Sequence, residues 1–436
     1  MSNKGQKIYS KAKKIIPNGN MLLSKRPENF LPNIWPCYFE ETQGCQVIDL
    51  DGNKFIDVSL MGVGTNILGY SNKKVDEAVL KAIKKGTSCT LNCPEEVKLS
   101  ENLLEINPWA DMVRLARTGG ELNAIAVRLA RAATGKEKIL ISGYHGWHDW
   151  YLSSNLKDKD NLNQHLLEGL DPKGVPKSLK GTTLPFQHNN LNEFLKLISK
   201  HDDIAAVKME VQRNFEPDKE FLLKVRKICT DKNIILIFDE CTSGFRETFG
   251  GIFNKFNIFP DVALFSKALG NGYAICACVG IQSVMEEAKN TFLSSTFWTE
   301  RIGPTAAIET LNCMKEEKSW EYISSQGRKI KNFWKNIFLK YQIDAEISGL
   351  DPLPTYKFLN TDHNKIKTLI TYKMQKKGFL ASDVIYVSVK HDDKILSRYY
   401  AAFEETLNEI EEVFLDIEKF KDFNVSEAYK GFQRIN

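Results

Sequence analysis

The chain has no apolar run approaching the roughly 20 residues that cross a bilayer, so its 436 residues offer no membrane-span candidate. Met1 to Lys14 is polar and lysine-rich and lacks the apolar core of a signal peptide, which predicts a cytoplasmic protein. The nine cysteines include no C-x-x-C pair, and several lie inside apolar runs. This scatter speaks against a disulfide framework or a zinc site and for a reducing compartment. Excess charge of one sign is also missing. The formal charge is +4, and lysines such as those at 224–232 and 315–318 sit on helical-looking segments. These read as solvated faces, not as a nucleic-acid footprint. No internal repeat or low-complexity linker stands out, which excludes a repeat array.

What remains is an ordinary globular composition, 42% hydrophobic and 26% charged, on a chain long enough for a large core and two or three domains. Residues 1–20 look like an amphipathic helix closed by Pro17-Asn18-Gly19. Asp51-Gly52 between two apolar runs, 46–50 and 54–58, signals a hairpin. From about residue 110 strands and helices alternate, which predicts an α/β fold with a mostly parallel sheet between helices. The strand candidates are 138–142, 205–209, 234–238, 262–265 and 274–280. A smaller C-terminal α+β unit follows, with strands at 381–389 and 356–359 and a last helix at about 397–419. Residues 151–185, rich in polar residues, glycine and proline, read as a long loop or lid. The expected division is an N-terminal segment 1–65, a large domain 66–310 and a small domain 311–436.

Chemistry gathers where these strands end. Lys267 follows the run Val262–Phe265 and opens a glycine-containing turn; Asp239 closes the run beginning at Ile234. A buried lysine loses proton affinity and becomes a nucleophilic amine, and a buried carboxylate can hold a proton on a heterocyclic nitrogen. Together they suggest a pyridoxal-phosphate site, with a solvated loop lysine and an ordinary buried acid as the alternative. Thr118-Gly119-Gly120-Glu121 is a capping box before an amphipathic helix, either a plain cap or a cradle for a phosphate on bare glycine amides. Tyr144, in Gly143-Tyr144-His145-Gly146-Trp147-His148-Asp149, can stack on a flat ring. The His145, His148 and Asp149 spacing falls on a turn and makes a poor metal site, so no metal is expected. Strand alternation puts Cys241 on the side of Asp239. Arg246 either binds a carboxylate or pairs with Glu240 or Glu247.

These segments, in this order and spacing, resemble the class III pyridoxal-phosphate-dependent aminotransferases of fold type I, most closely the glutamate-1-semialdehyde 2,1-aminomutase-like branch. The resemblance rests on 49–53, 118–121, Tyr144-His145-Gly146, Phe238-Asp239-Glu240, Gly244-Phe245-Arg246 and 265–270, and covers nearly the whole chain. It implies a large domain with a seven-stranded, mostly parallel sheet plus a smaller α+β domain. It implies pyridoxal 5'-phosphate as cofactor, Lys267 as the Schiff-base lysine and Asp239 as partner of the ring nitrogen. Tyr144 and His145 with Cys241 would border the ring, Gly119 and Gly120 would bind its phosphate, and Glu210 would lie near it. Thr296 matches a threonine lent to the partner subunit's cofactor phosphate, which implies a homodimer with a shared site.

The departures concern substrate. The aminomutase segment that grips a carboxylate is replaced by Asn20-Met21-Leu22-Leu23-Ser24-Lys25-Arg26-Pro27, and Thr296-Phe297-Trp298-Thr299-Glu300-Arg301 replaces another family segment. Val211 stands where a proline usually follows the strand-end glutamate, and Lys390-His391-Asp392-Asp393 lacks a substrate-side glutamate. The pattern resembles a divergent branch associated with surface-polysaccharide biosynthesis. The expectation is amino transfer from a small-molecule donor to a small or sugar-related carbonyl acceptor, with intramolecular mutase chemistry as the alternative. A non-catalytic binding protein on this scaffold is the remote alternative.

Overall fold

The computed structural model describes residues 3–163, 165 and 169–430. Two compact units emerge: residues 73–320, and residues up to 72 joined with those from 321 onward. Strands in chain order are β1 (Phe39–Gln43), β2 (Gln46–Asp49), β3 (Lys54–Val58), β4 (Met112–Ala116), β5 (Lys138–Ser142), β6 (Thr183–Pro185), β7 (Ile204–Met209), β8 (Ile235–Glu240), β9 (Val262–Phe265), β10 (Cys276–Gly280), β11 (Ala345–Ser348), β12 (Thr355–Phe358) and β13 (Phe379–Ala381).

The 73–320 unit holds a seven-stranded sheet in the order β4-β10-β9-β8-β7-β5-β6. Strands β9, β8, β7, β5 and β6 run parallel, while β10 is antiparallel to both β9 and β4. Every residue of β7 and β8 is buried, as expected for a parallel sheet covered on both faces. The Gly119–Thr134 helix packs Leu122, Ile125, Ala126 and Leu129 into a cluster with Ile139, Ile141, Ile237, Leu264 and Cys278. The hydrophobic period of that helix thus fixes its N-terminus beside the carboxyl ends of the central strands.

The other unit carries a sheet ordered β1-β2-β3-β13, with the β2–β3 hairpin turning at Asp51-Gly52 as its sequence requires, and a separate β11–β12 pair. Its aromatic core includes Trp334, whose Nε1 donates to Tyr399 at 2.9 Å, and Tyr356 edge-on to Trp334. Among the described residues no helix is long and apolar enough to cross a membrane.

Several expectations need correction. The 151–185 segment is not all loop: Tyr151, Ser153, Ser154 and Asn155 are buried, and Thr183–Pro185 forms the edge strand β6. Trp150 and Tyr151 join the apolar cluster under the sheet, which anchors the start of the segment. Residues 164 and 166–168, in its middle, lie outside the described residues. Of the expected 381–389 strand only Ala381 lies in a strand, as the last residue of β13, which runs parallel to β3; Val384 makes an isolated bridge to Thr355. The last helix divides into Asp393–Glu409 and Glu411–Leu415.

Candidate active site

Strand β8 delivers Asp239 to a fully buried position, and its two carboxylate oxygens are used differently. Oδ2 lies 2.8 Å from His145 Nδ1 and 2.8 Å from Lys208 Nζ; Oδ1 accepts the Cys241 N–H at 3.1 Å. Burial alone would raise the carboxyl pKa, but the Lys208 ammonium and the His145 hydrogen bond outweigh it and hold the group well below the usual carboxylate range. Burial, reinforced by the Lys208 charge, pushes His145 down. Neutral His145 therefore donates its Nδ1 proton to Asp239, which leaves Nε2 as a buried atom without a partner. His148 does not join it: its ring stacks on Trp147 and lies against Gly120. Among the described residues no group of three His, Cys, Asp or Glu side chains suits a metal ion.

The next strand, β9, ends at Phe265, and Lys267 follows with φ of 29°, a backbone region a lysine rarely adopts. Its Nζ donates to Thr242 Oγ1 at 2.6 Å. Because Glu240 pairs with Phe265 in register, the residues after β8 and β9 emerge side by side. Thr118 caps the Gly119–Thr134 helix through a capping box with Glu121. A Cβ placed on Gly119 would find only Cys241 Sγ and Ser266 Oγ, each at 3.8 Å, outside its chain neighbours. The start of the helix at Gly119 thus lies beside the residues that follow β8 and β9, and as first-turn amides those of Gly119 and Gly120 have no intrahelical acceptor.

Tyr144 is half-buried, edge-on to Tyr151 at 5.9 Å, and packs with Cys241 against the same apolar cluster. Burial raises the Tyr144 phenol and pushes the Cys241 thiol well up, so both are neutral groups suited to a ring's faces. Glu210, ending the β7 segment, accepts the Tyr144 N–H at 3.0 Å and pairs with Arg213 at 3.0 Å. Its contacts are to this backbone and cation. Arg246 is buried, and its Nε donates to the Thr242 carbonyl at 2.5 Å. Thr296 opens a short exposed turn.

Two residues that the sequence reading passed over belong to this constellation. Lys208, fully buried in the apolar run Ile204–Met209, is paired with Asp239; a lone lysine in such a run was the available signal, since a buried charge requires a partner. Arg117, just before Thr118, binds Glu300 Oε1 at 2.8 Å and the carbonyls of Trp298 and Glu300. It thereby ties the segment after Thr296 to the start of the Gly119–Thr134 helix.

The donor set fits a phosphorylated pyridine aldehyde: an amine, a buried carboxylate, bare helix-end amides, flanking neutral side chains and an orphaned imidazole nitrogen. The aminotransferase class-III family model matches residues 31–389. The chain belongs to the class III aminotransferase family. It is thus an enzyme of a family that works with pyridoxal phosphate on small-molecule amino donors and acceptors. The chain is 31% identical over 426 residues to 3-aminobutyryl-CoA aminotransferase of Cloacimonas acidaminovorans, covering 93% of this chain and 97% of that one. It is 30% identical over 388 residues to glutamate-1-semialdehyde 2,1-aminomutase of Methanococcoides burtonii, covering 87% and 89%. Among solved structures, the FumI protein of Sphingopyxis sp. MTA144 in its PLP internal aldimine form superposes with a TM-score of 0.86 at 22% identity, covering 95% of this chain and 98% of that one. That similarity shows the fold, type I with its mostly parallel seven-stranded sheet.

Proposed function

We propose that this class III aminotransferase moves an amino group between separate molecules, with Lys267 and Asp239 as its catalytic pair. The observation that carries the reading is the convergence of Lys267, Asp239 and the Gly119–Gly120 amides at one end of the sheet. Pyridoxal phosphate bound there would supply an electron sink for charge developing on the substrate carbon. Asp239, kept ionised by Lys208 and His145, holds the proton on the ring nitrogen. The Gly119 and Gly120 amides, at the positive end of the helix dipole, bind the phosphate. Tyr144 and His145 with Cys241 border the ring, and Glu210 orients the backbone of Tyr144. Lys267 would hold the cofactor through its amine, and the same amine would move the proton to and from the substrate carbon.

Transfer between molecules is favoured over mutase chemistry because the segment that grips a carboxylate in the aminomutases is replaced here by residues 20–27. Arg26 is buried, its charge acting on Tyr9, which donates to Glu28 at 2.8 Å; Lys25 is exposed. The acceptor we propose is a small or sugar-related carbonyl compound, with surface-polysaccharide biosynthesis as the setting and the cytoplasm as the location. Thr296, exposed beside Phe297 and near Phe292, is offered to a second copy, which makes the working form a homodimer.

Adding excess L-glutamate to the cofactor-loaded protein tests the reading. Loss of the near-visible absorption band with release of 2-oxoglutarate is the expected result. A band that persists with glutamate and every other amino donor, while an isomerised single substrate is produced, would establish mutase chemistry instead.

A further inference from the structure

Lys208 is an uncommon feature of a parallel-sheet interior. It stands one residue before the carboxyl end of β7, aligned with Ile237 of β8 and Ile141 of β5, and its side chain is fully buried. Alternation along β8 puts Asp239 on the same face as Ile237, one step nearer the strand end. The lysine reaches along that face to Asp239 Oδ2 at 2.8 Å. A carboxylate offers about four lone-pair directions. Lys208 and His145 take those of Oδ2, and the Cys241 N–H takes one on Oδ1. One direction remains, on Oδ1.

We propose that Lys208 is a positioning residue that pins Oδ2 and shares the charge of Asp239, so that the cofactor's ring nitrogen meets a partly neutralised acid through Oδ1. This rests on the reading of Asp239 as the partner of that nitrogen. Other ionisable groups near the pair do not take over the task. Burial keeps the Cys241, Cys276 and Cys278 thiols protonated and His145 neutral, and Glu210 is paired with Arg213. A buried cation beside the carboxylate weakens its hold on a ring proton, because like charges repel across a poorly screened interior. The chain thereby sets how firmly the ring is kept protonated, and with it the strength of the electron sink.

The test is the 15N resonance of cofactor labelled at the ring nitrogen, bound to the full chain, together with the rate at which cofactor is lost on dilution. Lys208→Met removes cation and donor while keeping an unbranched side chain; Lys208→Gln removes the cation and keeps a donor. In whichever retains the fold, the resonance should move toward its protonated value and cofactor loss should slow several-fold. A wild-type resonance and loss rate in the folded variants would overturn the proposal, because a merely structural lysine would change melting alone. Asp239→Asn, measured in parallel, separates the two readings. If it leaves the resonance unmoved, the Asp239 assignment falls and Lys208 with it. If it moves the resonance while the Lys208 variants do not, only the role of Lys208 falls.

Discussion

His145 Nδ1 lies 2.8 Å from Asp239 Oδ2, with both side chains buried, so the imidazole is held as a donor to the carboxylate. A hydrogen bond to a charged group contributes about 1.5–3 kcal/mol. His145→Phe keeps the ring volume and deletes that bond. Cofactor affinity should fall roughly tenfold or more, read by fluorescence titration of cofactor-free protein. Unchanged affinity would mean that Lys208 and the Cys241 N–H suffice to fix the carboxylate.

Glu240 gives stability a pH dependence of definite sign. Burial pushes its carboxyl up to about 7, against the Ile252 N–H at 3.0 Å and the Ser243 hydroxyl at 2.7 Å. Its pKa is raised on folding, so between about 4.5 and 7 the folded chain binds more protons than the unfolded one. Its contribution is complete below 4.5 and is lost as pH rises through 7. The shift corresponds to about 3 kcal/mol. Glu240→Gln should flatten the fall in urea midpoint between pH 5 and pH 8 relative to wild type. An equal fall in both would show that Glu240 is not the group responsible.

The Thr118 capping box predicts a modest, local cost. Thr118→Ala removes the acceptor of the Glu121 N–H and should destabilise the protein by about 1 kcal/mol. Urea denaturation measures this, and a loss of several kcal/mol would point to a tertiary role for the hydroxyl.

Thr296 and Lys267 are expected to serve one site from two subunits. Light scattering should give the mass of two chains. Thr296→Ala and Lys267→Ala homodimers should each be impaired, and mixed dimers should regain activity, since one of their two sites holds both native residues. Mixtures no more active than the sum of the separate variants would refute a shared site.

Much of the fold was legible because apolar runs buried on both faces announce the central strands 138–142, 205–209, 234–238 and 262–265, and because Asp51-Gly52 announces the hairpin. Strand β4 escaped notice because Arg114 breaks its apolar run, and β6 because it has three residues and ends in Pro185. Trp150 and Tyr151 hid in a polar stretch whose composition masked two core anchors. Within the candidate site, strand ends placed Asp239 and Lys267, and the Thr-x-x-Glu spacing placed Gly119 and Gly120. Lys208 was not read because period and composition treat a lysine as a surface residue, and only the three-dimensional pairing with Asp239 explains its burial. Arg117 acts across 183 residues of sequence on Glu300, a separation that no local pattern records.

Two lysines near the ends of the central strands, Lys208 within β7 and Lys267 in the turn after β9, could in principle carry the cofactor. Lys208 is committed to a carboxylate, whereas Lys267 Nζ donates to the Thr242 hydroxyl. Reduction of the cofactor-loaded protein with borohydride, followed by peptide mass spectrometry, locates the attachment directly. The expected product is a phosphopyridoxyl group on Lys267 at one per chain. Attachment at Lys208 or another lysine, with Lys267 unmodified, would contradict it.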